Sequence, residues 1–238
     1  MDSADITIET ADGPMAAHVG RPTGTPKGGI IVVQEAFGVT THIEDLTHRL
    51  ADEGWLAVAP ALFHRIGAPV LAYDDLKPVM PAMGSLTSES IAEDIASTLR
   101  WLEAEGQDAE HTGIVGFCMG GSVTLITAVQ YALGAAVTFY GGGLRDGRFG
   151  FPGLIELSPG LRTPWLGLFG DLDKSIPPDD VEALRTAAAT AKTETSIVRY
   201  ADADHGFNCN DRPAVYNEVA AADAWERTLA WFDGHITA

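Results

Sequence analysis

Cysteine is scarce in this chain of 238 residues. Cys118 and Cys209 are the two present, which excludes a disulfide framework, and their separation is far from the Cys-x-x-Cys spacing of a dithiol redox site. Basic residues are also few: Lys and Arg number 15 against 33 Asp and Glu, a formal charge of -18. Such a surface repels nucleic acid and anionic membranes, so neither is an expected partner, and an anionic substrate needs a local cation. No apolar stretch approaches the ~20 residues that span a bilayer. The start, Met1-Asp2-Ser3-Ala4-Asp5, lacks the basic and apolar regions of a secretion signal. The expectation is a soluble protein of the reducing cytoplasm. No internal repeat or second domain appears, so residues 1–238 are read as a single domain, long enough to bury roughly 70–75% of its unfolded surface.

What is present is alternation. Ile6 to Thr10 and Met15 to Val19 flank Asp12-Gly13 and predict a hairpin. Continuous apolar runs at Ile30–Val33, Trp55–Ala59, Thr112–Gly116, Ala135–Tyr140, Trp165–Phe169 and Ser196–Tyr200 read as strands, the first of them a β-branched run suited to a parallel sheet. Helical spacing marks His42–Glu53, Glu89–Glu105 with Thr87 or Ser88 as cap, the segment after Cys118, and Pro178–Ala191. Ala214–Phe232 is read as a last helix, with an apolar stripe through Val215, Val219, Ala222, Trp225, Leu229 and Phe232. Pro60 to Met83, with four prolines, predicts an irregular excursion, and Leu144 to Arg162 a loop. Strand and helix in alternation predict an α/β fold, a mainly parallel central sheet with helices on both faces.

Gly116-Phe117-Cys118-Met119-Gly120-Gly121 has the form of the nucleophile elbow, Gly-x-Ser-x-Gly, with cysteine for serine. At so tight a strand-to-helix turn a Cβ at position 116 or 120 would strike neighbouring backbone. Read locally, Cys118 is either a nucleophile or a buried small hydrophobe. A nucleophile needs a base, and the base needs an orienting acid. Asp171 and Asp173 follow one predicted strand and His205 the last, in the order nucleophile, acid, histidine. Asp173 is chosen over Asp171, which directly follows Gly170 and suits a turn. Glu35 comes straight after a buried strand, where a carboxylate is costly without a partner. Near a thiol it would accept the proton or disfavour the thiolate.

Gln34-Glu35-Ala36-Phe37-Gly38, the Cys118 elbow, Asp173 with Ile176-Pro177, and His205-Gly206-Phe207 together resemble the dienelactone hydrolase family over almost the whole chain. The resemblance implies an α/β-hydrolase fold and a Cys118–His205–Asp173 triad. It further implies Glu35 as the group controlling the resting thiol, an oxyanion hole of the Met119 and Ala36 backbone N–H groups, and small lactone or ester substrates, with no cofactor or metal. The chain departs from the family at the arginines that bind the substrate carboxylate: Cys209 stands four residues after the histidine, and Asp74–Leu86 holds only Lys77. Arg65, Lys77 and Arg212 are the candidates to supply that charge. A broad carboxylesterase or thioesterase acting on uncharged substrates is the alternative enzyme, and a non-catalytic ligand receptor on the same fold a third reading.

Overall fold

The β-branched run and its apolar counterparts all become strands of one sheet. The structure, a computed structural model, describes residues 2–236. Its eight strands are β1 (Asp2–Thr10), β2 (Gly13–Arg21), β3 (Gly29–Val33), β4 (Leu56–Pro60), β5 (Thr112–Phe117), β6 (Ala135–Phe139), β7 (Trp165–Gly170) and β8 (Thr195–Tyr200). They lie in the order β1-β2-β4-β3-β5-β6-β7-β8. The β1–β2 hairpin pairs antiparallel to β4, and every later pairing is parallel. Every residue of β3 to β7 is buried, so the sheet is covered on both faces.

Helices α1 (Thr41–Asp52), α2 (Val79–Gly84), α3 (Ser88–Ala104), α4 (Met119–Gln130), α5 (Leu154–Leu157), α6 (Pro178–Ala188) and α7 (Glu218–His235) fill the connections. Thr87 caps α3 in a reciprocal capping box with Ser90. The excursion after β4 is irregular apart from a 3₁₀ turn and the short α2. The stretch from Leu144 to Arg162, expected to be all loop, contains α5 and a 3₁₀ turn at Ser158–Gly160. The last helix starts four residues later than its apolar spacing predicts, where Asn217 accepts a hydrogen bond from the Ala220 N–H. Its buried face runs through Ala220, Ala224, Trp225, Thr228 and Phe232, whereas Val219 is 81% exposed. Trp225 and Phe232 of the expected stripe are buried, Phe232 against Gly113 of β5, and alanines complete the face in place of Val219. No helix among the described residues is long and apolar enough to cross a membrane.

Candidate active site

Parallel strands bring their carboxyl ends to one edge, and the loops after β3, β5, β6, β7 and β8 meet there. Cys118 sits between β5 and α4 with φ 55° and ψ -113°, a conformation that non-glycine residues rarely hold. Its N–H donates to the Phe139 carbonyl at 3.1 Å. A Cβ on Gly116 would run into the Gly120 carbonyl, and one on Gly120 into the carbonyls of Val33 and Gln34. Gly121 faces the Phe139 carbonyl and Gly141 just as closely. Backbone meets backbone around most of the turn, with the Thr124 hydroxyl also against Gly116, and this holds Cys118 in its strained pose. The N–H groups of Met119 and Ala36 carry no hydrogen bond among the described residues. Met119 opens α4, where such a donor is expected to be free.

His205 follows β8 and Asp173 follows β7. The Nδ1 of His205 and Oδ2 of Asp173 are 2.6 Å apart. Asp173 Oδ1 accepts from the backbone N–H of Ser175 at 2.8 Å and from its hydroxyl at 2.6 Å. Burial pushes this carboxyl up, but the hydrogen bonds from His205 and Ser175 outweigh it and hold Asp173 below its ordinary value. Cys118 neighbours His205 closely enough for the two to interact electrostatically. Burial lowers the imidazole, yet Cys118 and Asp173 together raise it to about 10. Asp171 is engaged elsewhere, accepting two hydrogen bonds from Arg199 at 2.7 and 2.8 Å.

Glu35 is wholly buried at the end of β3. Burial raises its carboxyl, with Arg212, His205 and Tyr73 acting in the opposite direction. The Tyr73 hydroxyl lies 3.5 Å from Oε2, while Oε1 has no partner among the described residues. Glu35 makes no hydrogen bond to Cys118 among the described residues. Tyr73 comes from the excursion after β4 and also meets Thr40 at 3.1 Å and the Cys209 thiol at 3.5 Å. Burial, with the charge of Glu35, pushes Cys209 up to about 11, so it remains a thiol. Tyr140, just past β6, is buried at φ 38° with its hydroxyl unpartnered. Burial and the neighbouring Glu35 raise that phenol well above its ordinary value, and its ring centroid is 5.1 Å from that of His205.

The three predicted cations fare differently. The Arg212 guanidinium lies 5.6 Å from the Phe37 ring centroid and 5.7 Å from that of Tyr73, beside Glu35. It reaches this place past Gly206, where a Cβ would sit 2.6 Å from its Nη1. Arg65 is not available: it holds the buried Asp94 with two hydrogen bonds at 2.8 and 2.9 Å and reaches Asp12 as well. His64 joins the same carboxylate at 3.1 Å. Lys77 is exposed on the excursion, and no contact among the described residues brings it to Glu35 or Cys118. Tyr73 and Tyr140 were not foreseen. The signal for Tyr140 lay in its place, directly after a strand that ends beside the elbow.

A mostly parallel eight-stranded sheet with a strained elbow cysteine and an acid–histidine pair at strand ends defines an α/β hydrolase. The chain belongs to the dienelactone hydrolase family, whose model matches residues 15–236. A Salmonella typhimurium protein named "Putative carboxymethylenebutenolidase" is 39% identical over 236 residues, covering 97% of this chain and 87% of that one. A Synechocystis protein of the same name is 33% identical, covering 97% and 96%. A Klebsiella pneumoniae crystal structure titled as a "Putative Dienelactone Hydrolase" superposes with a TM-score of 0.89 at 38% identity, covering 97% of this chain and 98% of that one. A metagenomic protein described as a "Dienelactone Hydrolase-like Promiscuous Phospotriesterase" has a TM-score of 0.81 at 22% identity, which speaks to fold alone. The protein is a hydrolase of dienelactone hydrolase type.

Proposed function

We propose that this hydrolase cleaves a small ester or lactone with Cys118 as nucleophile, through a thioester. The observation that carries the reading is the strained elbow that presents Cys118 beside His205, whose Nδ1 is 2.6 Å from the buried Asp173. Cys118 Sγ attacks the carbonyl carbon as a thiolate, its proton already resting on His205 Nε2, as the raised imidazole favours. The oxyanion rests on the free N–H groups of Ala36 and Met119; removing one such donor costs ~3 kcal/mol in the transition state. Collapse breaks the acyl C–O bond, and the leaving oxygen takes the proton from Nε2. Water then attacks the thioester and gives a proton to Nε2, which keeps it as the thiolate departs and the resting pair is restored. Asp173 holds the imidazole tautomer throughout.

Glu35 acts on the thiol through His205, with which its charge interacts, and not by a direct bond. Arg212, whose guanidinium lies over the Phe37 and Tyr73 rings beside Glu35, recognises a carboxylate on the substrate. The test is a panel of activated esters and lactones, each with and without a free carboxylate, on wild type and Cys118→Ala, with mass spectrometry of quenched reactions. Wild type is expected to carry the acyl group on the peptide containing Cys118, with turnover abolished in the variant. Normal turnover by Cys118→Ala overturns the assignment. Equal rates with and without the carboxylate favour the carboxylesterase or thioesterase reading, and ligand binding without any acyl-enzyme favours the receptor.

A further inference from the structure

The chain has seven histidines, and five of them are explained by their own surroundings. His205 belongs to the candidate site, His64 holds Asp94, His111 faces Asp108, His235 meets the Trp231 carbonyl, and His42 is buried beside Phe117. His18 and His48 instead face one another. Their Nε2 atoms lie 2.8 Å apart, although 30 residues separate them in the chain. Two imidazole nitrogens so close cannot both carry hydrogen, so at least one presents a bare lone pair.

Both rings are held from behind. His18 lies on β2 directly across from Asp5 of β1, whose Oδ1 is 2.9 Å from Nδ1. A carboxylate accepts and does not donate, so Nδ1 of His18 carries the hydrogen and its Nε2 is the bare nitrogen. His48 lies on α1, which is seated on β2 at the neighbouring position of the same strand face. There a Cβ on Gly20 would fall 2.8 Å from the Thr47 carbonyl oxygen and 3.1 Å from the Ala51 Cβ. The two ring planes are inclined at 59° with centroids 4.9 Å apart, so the pair is not stacked. The surrounding charges favour a cation. Glu44 and Asp52 stand four residues to either side of His48 on the same face of α1. The arginines nearest in sequence are engaged elsewhere, Arg21 with Glu105 at 2.6 Å and Arg49 over the Trp225 ring.

A carboxylate on Nδ1 and a bare Nε2 on the other side is the arrangement of a metal-binding histidine with its outer partner. Nitrogens each ~2.0 Å from one ion are ~2.8 Å apart at neighbouring corners of a tetragonal site and ~3.3 Å apart in a tetrahedral one. The observed 2.8 Å matches the first. Imidazole ligands in that geometry suit copper(II) or nickel(II). No group of three or more His, Cys, Asp or Glu side chains is placed to hold an ion among the described residues, so the pair supplies two ligands and water the others.

We propose that His18 and His48 form a two-histidine site for a late first-row divalent ion, which clamps the β1–β2 hairpin to α1. On binding, the hydrogen between the rings moves to Nδ1 of His48 and both Nε2 lone pairs go to the ion, with no change of oxidation state. The site is separate from the reaction centre, because β4 and β3 lie between β2 and β5, the strand that leads to the elbow. It stands whether or not the hydrolase reading does.

The experiment titrates protein freed of metal by EDTA and dialysis with nickel(II) chloride in a calorimeter, and records melting curves with and without the ion. Wild type is compared with His18→Gln, His48→Gln, Asp5→Asn and His205→Gln. Wild type and His205→Gln are expected to bind the ion and to melt roughly 5–10 °C higher when it is in hundredfold excess over the dissociation constant. His18→Gln and His48→Gln are each expected to lower the affinity tenfold or more and to abolish the shift, and Asp5→Asn to lower the affinity about tenfold. No binding by wild type, or an affinity in His48→Gln within twofold of wild type, overturns the proposal. A loss in His205→Gln alone places the ion in the reaction centre and overturns it equally, and binding with no rise in melting temperature refutes the clamp. Melting curves in EDTA check the folding of every variant, and either histidine variant carries the test if the other does not fold.

Discussion

Replacing Asp173 with asparagine removes a charge and almost no volume, so its effect can be followed through individual hydrogen bonds. In the wild type, Oδ1 accepts two hydrogen bonds from Ser175 and Oδ2 faces His205 Nδ1. The Ser175 backbone N–H is a fixed donor, which forces the carbonyl oxygen of the new side-chain amide toward it and leaves the NH₂ group facing the imidazole. To satisfy that donor Nδ1 must lose its hydrogen, and the proton moves to Nε2, the nitrogen that has to accept from Cys118. Restoring the productive tautomer sets two buried donors against each other at ~1–3 kcal/mol apiece, and the charge supporting the imidazolium is lost as well. Together these come to about 5 kcal/mol, which at 1.36 kcal/mol per decade lowers kcat on the order of 10³–10⁴-fold. The assay is steady-state hydrolysis of p-nitrophenyl butyrate, with the imidazole N–H resonances recorded by NMR to report the tautomer. A folded Asp173→Asn protein within tenfold of wild-type kcat, or one that keeps the Nδ1–H resonance, would refute the reasoning.

Two further outcomes follow from the buried ionisable groups. Asp94→Ala leaves Arg65 and His64 facing an empty carboxylate site in the interior. It is expected to cost about 3–5 kcal/mol, a fall in Tm of roughly 6–20 °C for a chain of this size, measured by calorimetry; a fall under 3 °C would show that Asp12 alone suffices for Arg65. His205 is raised in the folded state from 6.5 to about 10, so the folded protein holds the proton more tightly than the unfolded chain. The resulting stabilisation is complete below pH 6.5 and is lost as pH rises through about 10. Urea unfolding of wild type and His205→Gln at intervals across this range is expected to show the difference between them changing in that direction; a constant difference contradicts it.

The sheet was legible because a strand buried on both faces writes itself as an unbroken apolar run, as at Ile30–Val33 and Ile114–Val115. The elbow was legible because Gly116 and Gly120 have no substitute at that turn. Less was readable where contacts join distant parts of the chain. Nothing near Arg65 marks it as the partner of Asp94, 29 residues on, or of Asp12, 53 residues back. Val219 belongs to an apolar spacing and faces solvent, because the buried face runs through Ala220, Ala224, Trp225, Thr228 and Phe232. The short helix at Leu154–Leu157 is hidden between Pro152-Gly153 and Ser158-Pro159-Gly160, residues that locally predict turns. Tyr73 joins Glu35 from 38 positions away, through an excursion whose path no local periodicity describes.

The glycine contacts around Cys118 also say where new activities can arise. Gly116, Gly120, Gly121 and Gly141 touch mainly through main chain, with only the Thr124 and Thr138 side chains reaching in, so that ring offers evolution or an engineer little to vary. Variation is left to segments that bring side chains to the site from elsewhere in the chain, such as the excursion carrying Tyr73 and the stretch carrying Arg212. A library confined to these would sample specificity on an unchanged reaction centre, and one that spread into the glycines would mostly sample unfolding.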